Sequence, residues 1–155
     1  MTDADLPFMR QVYASTRQDE MAMTGWPQSK IDEFLAMQFM AQHQHYQQYY
    51  PQASFDVIVW AGQPVGRLYV DRTFADIRIV DIALLPPYRG KGIGGYLLEQ
   101  LLSEARDQGR ALAIHVEKNN PAMSLYKRLG FVKTEDKGVY DFMERPPQPL
   151  EEYSE

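Results

Sequence analysis

The sequence contains no cysteine. That excludes disulfides, thiolate metal sites and a cysteine nucleophile, so the chain cannot park an acyl group on a thiol of its own. Cationic charge is also scarce: 16 Lys plus Arg stand against 21 Asp plus Glu, for a formal net charge of −5. Nucleic acid is not expected as a partner, because phosphate contacts dominate that affinity and need a basic face. Long apolar runs are missing too. They break within a few residues, as in Ile82-Ala83-Leu84-Leu85, so no membrane-spanning segment is expected. The start, Met1-Thr2-Asp3-Ala4-Asp5, lacks a basic stretch followed by an apolar one, which reads as no secretory signal and a cytoplasmic protein. Histidines are few, and His43 and His45 lie two apart on an expected helix, where they do not share a face. No metal is expected.

What is present suits a single α+β domain. The 155 residues, 45% of them hydrophobic, are enough for one core without staples. The domain is expected over residues 1–144. Residues 145–155 carry three prolines and an acidic end and read as a tail. Leu6, Met9, Val12 and Tyr13 share one helical face, with Pro7 suited to the first turn. A second helix is expected from a Ser29 cap through Ile31, Phe34, Leu35, Phe39 and Met40, ending before Pro51. The period then changes. Strands are expected over 55–60, 65–70 and 77–85, the first two joined by a turn. A helix over 92–108, a strand over 111–116, a short helix over 120–129 and strands over 131–135 and 139–143 follow. This α-α-β-β-β-α-β-α-β-β order implies a mixed sheet rather than a doubly wound one. Even spacing puts Asp81 on the face of Ile77, Ile79, Ala83 and Leu85.

Two segments carry the chemistry. In the first, the strand ending Leu84-Leu85 runs through Pro86-Pro87-Tyr88-Arg89 into Gly90-Lys91-Gly92-Ile93-Gly94-Gly95 and a helix. Glycines let backbone amides approach a ligand, and the helix start adds free N–H groups and a positive dipole end. The place suits phosphate, and Arg89 and Lys91 add charge. The alternative is a turn built for tight packing. No Walker lysine follows, and no dinucleotide fingerprint is complete. The second segment runs from Val116-Glu117-Lys118 through Asn120-Pro121-Ala122 to Leu125-Tyr126 and Gly130-Phe131. By itself it is also an ordinary capped helix with a glycine stop.

Together the two segments resemble the GNAT superfamily of N-acetyltransferases, in particular its small bacterial members. Arg89-Gly90-Lys91-Gly92-Ile93-Gly94 matches the family's Arg/Gln-x-x-Gly-x-Gly/Ala motif. Asn120 to Phe131 matches its Asn-Pro-Ala-x-x-Leu-Tyr-x-x-x-Gly-Phe segment. The resemblance implies a central mixed, mostly antiparallel sheet flanked by four helices. The family's usual first edge strand is missing here or very short. It implies acetyl-CoA as cofactor. Backbone groups of Ile82, Ala83 and Leu84 would pair with the pantetheine arm. The segment Arg89, Gly90, Lys91, Gly92, Ile93, Gly94 and Gly95 would hold the pyrophosphate. Asn120 would contact the arm or cap its helix, and Tyr126 would aim its phenol at the sulfur. Trp26 and Tyr69 are candidates for the acceptor wall. A homodimer is left open.

Transfer to an amine poses two proton problems: the ammonium must lose a proton, and the departing thiolate is better as a thiol. Tyr126, with an ordinary pKa of about 10, can donate to the thiolate. For the base, Asp81 on its apolar strand and His115 on the next strand are rivals, Glu117 reads as solvated, and a water chain is equally open; the alternative for Asp81 is that it pairs with an arginine or satisfies a backbone amide. The expected function is therefore acetyl-CoA-dependent N-acetylation of a primary amine by direct transfer in a ternary complex. The alternative is a non-catalytic module that binds and senses acyl-CoA.

Overall fold

A computed structural model describes residues 2–118 and 120–147; residues 148–155 of the expected tail lie outside the described residues. After a 3-10 turn at Asp3–Asp5, two helices lead the chain: α1 (Leu6–Ala22), with Pro7 in its first turn, and α2 (Gln28–Tyr49). Helix α2 starts after Pro27 rather than at Ser29, because the extended Pro27 already turns the chain in. Gln28 Nε2 then donates to Asp32 Oδ1 at 2.7 Å within the first turn. The strands are β1 (Ser54–Trp60), β2 (Gln63–Asp71), β3 (Ile77–Leu84), β4 (Leu112–Glu117), β5 (Val132–Lys137) and β6 (Tyr140–Arg145). Helix α3 (Ile93–Asp107) joins β3 to β4, and α4 (Met123–Arg128) joins β4 to β5. Arg145, expected to open the tail, instead ends β6 opposite Leu112.

The sheet order is β1-β2-β3-β4-β6-β5. Its single parallel pair, β3 with β4, needs a crossover, and α3 supplies it. The remaining pairs are antiparallel. Among the described residues no strand precedes α1, so β1 is an outer strand of the sheet. No helix among them is long and apolar enough to cross a membrane.

Each face of the sheet has its own core. On one face Ile77, Ile79, Leu112, Ile114, Val116 and Met143 pack with Leu98, Leu101 and Ala105 of α3 and Tyr126 of α4. On the other, Met9, Tyr13, Leu35 and Phe39 of α1 and α2 cover Tyr69 and the partly buried Phe55, Val57 and Val80. Helix α3 shows why its sequence folds this way: apolar residues at three- and four-residue spacing form one stripe, and that stripe is what the sheet buries.

Two irregularities position the site. Parallel pairing of β3 with β4 covers only Ile77 to Ile79 against Leu112 to Ile114. Beyond that the strands splay, so residues 80–84 and 115–117 flank a gap at their carboxyl ends. The second irregularity is a register shift between β2 and β3: Tyr69 pairs with Asp81, but Val70 pairs with Ile79, which leaves Val80 as a bulge. The extra residue reverses the facing of everything after it. Asp81 therefore does not share a face with Ile77 and Ile79, as even spacing predicts. It turns to the α1–α2 side, the face of its partner Tyr69.

Candidate active site

The glycine segment builds an open helix start. Pro86–Tyr88 form a 3-10 turn, and Gly90 and Gly92 then take φ of 73° and 84°, which an L side chain rarely adopts. Tyr96 N–H donates to Gly92 O at 3.0 Å as α3 begins. The amides of Ile93, Gly94 and Gly95 come before that bond, and no side chain caps them. A Cβ built on Gly95 would meet nothing within 4 Å, and one on Gly94 only Leu84 Cδ1 at 3.9 Å. Tight packing thus does not account for these glycines; they leave space beside free donors at a positive helix end. That space and those donors fit a phosphate group. Lys91 is exposed. Arg89 donates from Nε to Leu84 O at 2.9 Å and so fastens the loop to β3.

The splay lies next to this helix start, at the carboxyl ends of parallel strands, where α/β sheets commonly bind ligands. Leu85 N–H donates to Val65 O at 2.9 Å, so that residue's backbone faces β2. Alternation turns Ala83 to β2 as well, in agreement with its carbonyl lying 2.2 Å from an ideal Cβ on Gly66. Ile82 and Leu84 are left with backbone groups directed into the splay, the Leu84 carbonyl already accepting from Arg89 Nε. Of the three residues expected to pair with an extended arm, these two face it and Ala83 does not.

Asp81 does pair with an arginine, the alternative that stood beside its reading as a base, within a network of residues the sequence does not point to. Arg67, on β2, donates from Nη2 to Asp81 Oδ2 at 2.6 Å and to Gln42 Oε1 at 3.0 Å. The Tyr46 hydroxyl of α2 donates to the same Oδ2 at 3.2 Å. Arg67 is 2% exposed and Asp81 14%. The Arg67 guanidinium lies between the Tyr13 and Tyr69 rings, 5.7 and 5.2 Å from their centroids. Burial works against its charge, and the Asp81 carboxylate together with the Tyr69 and Tyr46 phenols outweighs burial, so its proton affinity is raised on balance. Burial, with Asp81's charge added, also pushes the Tyr46 phenol well above its ordinary value. Asp81 Oδ1 has no hydrogen-bond partner among the described residues. The signal that could have found Arg67 was a charge inside the otherwise apolar run Val65 to Val70.

Tyr126 belongs to the opposite face. Its ring is 4% exposed and meets Phe131 edge-on at 5.8 Å. Burial, then the negative charge of Asp81, push its phenol up to about 12. The charge of Asp81 is thus felt at Tyr126, although the two side chains stand on opposite faces of the sheet.

The rivals lie elsewhere on the α1–α2 face. Leu112, Ile114 and Val116 take the α3 side, so Ala113, His115 and Glu117 take the other. His115 packs against Phe142 with centroids 4.7 Å apart. Burial and the charges of Arg78 and Lys137 pull its pKa below the ordinary histidine value. Glu117, read as solvated, is half-buried and accepts from Arg17 Nη2 at 3.1 Å, which ties α1 to the end of β4. Asn120 does not cap the helix: α4 begins at Met123, after Ala122, with no side-chain cap, and Asn120 Oδ1 instead accepts from Ala122 N–H at 2.8 Å in the turn ahead of it. Trp26, in the loop after α1, meets Phe34 edge-on at 5.5 Å, with Lys30 Nζ 4.3 Å from its ring centroid. Tyr69 is 1% exposed and lies in the core beneath α1 and α2, with its hydroxyl buried and unpaired. A cavity of about 320 Å³, lined by Leu102, Leu112, Leu129, Arg145 and Pro146 among others, opens beside the second half of α3, away from the glycine segment. Among the described residues no cluster of acidic and histidine side chains could hold a metal.

This geometry has counterparts. A model described as the acetyltransferase (GNAT) family matches residues 13–131. A Haemophilus influenzae protein named [ribosomal protein bS18]-alanine N-acetyltransferase is 31% identical over 70 residues, covering 44% of this chain and 48% of that one. The chain thus spans about half the length of that relative. An N-alpha-acetyltransferase of Sulfurisphaera tokodaii is 27% identical over 123 residues, covering 65% of this chain and 74% of that one. Among solved structures, PaiA N-acetyltransferase of Thermoplasma acidophilum in complex with coenzyme A superposes with a TM-score of 0.67 at 16% identity, over 94% of this chain and 95% of that one. PH1933 of Pyrococcus horikoshii gives 0.71 at 21% identity, over 97% and 94%. At these identities the solved structures show the fold alone.

Proposed function

The chain belongs to the acetyltransferase (GNAT) family, and from that membership we propose that it moves the acetyl group of acetyl-CoA to a primary amine by direct transfer in a ternary complex. The observation that supports the proposal is the splay itself, where β3 and β4 stop pairing beside the uncapped amides of the α3 start; in this reading Tyr126 serves it from one face of the sheet and Asp81 from the other. The amides of Ile93, Gly94 and Gly95 would hold the pyrophosphate, and the backbone of Ile82 and Leu84 the extended arm. Acetyl-CoA supplies the acetyl group and departs as a thiolate.

Tyr126 keeps its proton through the working pH range, since its phenol is pushed up to about 12. It is therefore a donor when the thiolate leaves. The burial that raises the phenol would raise a thiol placed beside it as well, so the two stay matched. Asp81, with Oδ1 uncommitted, is the group that takes the amine's proton. His115, depressed below the ordinary histidine value and so neutral near pH 7, and solvent remain its competitors. With no cysteine in the chain, the amine attacks the thioester directly and no acyl group passes through the protein. A non-catalytic module would need the open helix start, but neither a proton donor nor a proton acceptor. A cytoplasmic location suits a highly charged cosubstrate that does not pass a bilayer unaided.

The test is thiol release from acetyl-CoA across a panel of amines, beside a thermal shift with coenzyme A. Turnover with at least one amine is expected. A thermal shift with no turnover on any of them would favour the binding module.

A further inference from the structure

The pairing of Arg67 with Asp81 has a geometry that stability alone does not explain. The guanidinium is 2% exposed, and its Nε and Nη1 are buried without a hydrogen-bond partner. Burying a cation carries a large desolvation cost, and a buried pair of this kind is weak evidence for stability. Arg67 and Asp81 are diagonal neighbours across the β2–β3 ladder, since Arg67 pairs with Ala83 and Asp81 with Tyr69. They meet because the Val80 bulge turns Asp81 onto the face where Arg67 stands. Tyr46 arrives from α2 and binds the same oxygen. A bulge, a guanidinium and a phenol from three different elements therefore converge on Oδ2, and Oδ1 is the oxygen left over. Tyr69, on the same face, and Tyr126, on the opposite one, also feel the charge of Asp81.

We propose that Arg67 is a positioning residue of the transfer site: by holding Oδ2 of Asp81 it fixes the carboxylate so that Oδ1 faces the incoming amine. The inference rests on the reading of Asp81 as the amine-facing carboxylate. Arg67 itself touches neither substrate. Its single Nη2 bond to Oδ2, with the Tyr46 hydroxyl on the same oxygen, fixes where that oxygen stands, and the guanidinium is itself held by Gln42 and lies over the Tyr13 and Tyr69 rings, a seat that a lysine's point charge would not fill in the same way. A misplacement of about 1 Å in such a group can cost on the order of 100-fold in rate.

The experiment compares Arg67→Met, Arg67→Lys, Asp81→Asn and the double variant Arg67→Met/Asp81→Asn with the parent chain. Measured are kcat on an amine found in the panel, acetyl-CoA Kd by calorimetry, and Tm. Arg67→Met should lower kcat by about 10–100-fold, with acetyl-CoA Kd held within about twofold. Arg67→Lys should fall between Arg67→Met and the parent. In the Asp81→Asn background, Arg67→Met should lower kcat further by less than about threefold, because the two residues act as one unit.

A parental kcat for Arg67→Met would overturn the proposal, and so would equal losses in both backgrounds. If Asp81→Asn alone keeps the parental kcat, the reading of Asp81 fails. If Asp81→Asn is slow while Arg67→Met is fast, only the positioning role fails. Should Arg67→Met not fold, Arg67→Lys decides: a lowered kcat at unchanged Kd and Tm upholds the proposal, and a parental kcat refutes it.

Discussion

Changing Tyr126 to Phe removes one oxygen and leaves the ring in place. The ring is 4% exposed and packs edge-on against Phe131, and the change leaves that contact intact. The hydroxyl makes no hydrogen bond to the protein among the described residues, so no bonded partner is stranded. Stability should therefore move by less than about 1 kcal/mol, the size of a single net hydrogen bond. Acetyl-CoA affinity should also hold, because the proposed contacts lie at the start of α3 and along β3. The rate should not. Loss of a positioned proton donor costs about 10²–10⁴ in rate, or roughly 3–5 kcal/mol in barrier. The parent phenol is pushed up to about 12, so it contributes no falling limb to a rate profile taken over ordinary working pH. The variant's profile should accordingly keep its shape and drop in height. The assay is thiol release under saturating amine, with Kd measured separately by calorimetry. Near-parental turnover would show that Tyr126 only packs. Equal loss of rate and affinity would make it a residue that seats the cofactor.

Other outcomes follow from the same structure. Gly95→Glu places a side chain in open space on an ordinary helical backbone, so Tm should hold or rise, since glycine inside a helix costs about 1 kcal/mol against other residues. Its bulk and negative charge beside the free amides should weaken acetyl-CoA binding by more than about tenfold, read by calorimetry. Gly66→Ala would put a Cβ 2.2 Å from Ala83 O, where backbone must move, so a loss of about 1–3 kcal/mol in stability is expected by thermal unfolding. For His115 the sign runs as for any depressed base. Its neutral form is favoured in the fold, so the stabilisation is full above the ordinary histidine value of 6.5 and is lost as pH falls through the lower folded value. His115 is exposed on β4, so solvent screens much of this effect: His115→Gln should flatten the fall of Tm between neutral and mildly acidic pH only slightly, and a steeper fall would refute the sign of the argument.

The order of elements was legible because each carries its own period. Leu98, Leu101 and Ala105 announce a helix and its buried side, and the alternation in 112–116 announces a strand. The glycines of residues 90–95 and the Asn120-Pro121 turn mark the ends of elements through backbone chemistry that depends on nearby residues only. The facing of Asp81 was not legible. It depends on a bulge at Val80, and the run Ile77 to Leu84 contains no glycine or proline to mark one. The splay was hidden for a similar reason: where β3 and β4 stop pairing is decided by strand twist and the packing of two cores, not by any residue type at the parting point. Arg67, Gln42 and Tyr46 come from sequence positions up to 25 apart and become neighbours of Asp81 only once α2 lies across β2 and β3. His43, on α2, is buried beside the same helix pair, and only the three-dimensional structure shows it stacked on Phe39 at 5.8 Å.

The claim on which everything else stands is that acetyl-CoA lies in the splay with its phosphates on the start of α3. An amide nitrogen–proton correlation spectrum of the labelled chain, titrated with acetyl-CoA, tests it directly. The largest shifts are predicted for Gly92, Ile93, Gly94 and Gly95, followed by Ile82 and Leu84, with the Tyr126 region perturbed in step. Shifts centred instead on Leu102, Leu129 and Arg145, around the cavity beside the second half of α3, would contradict the account.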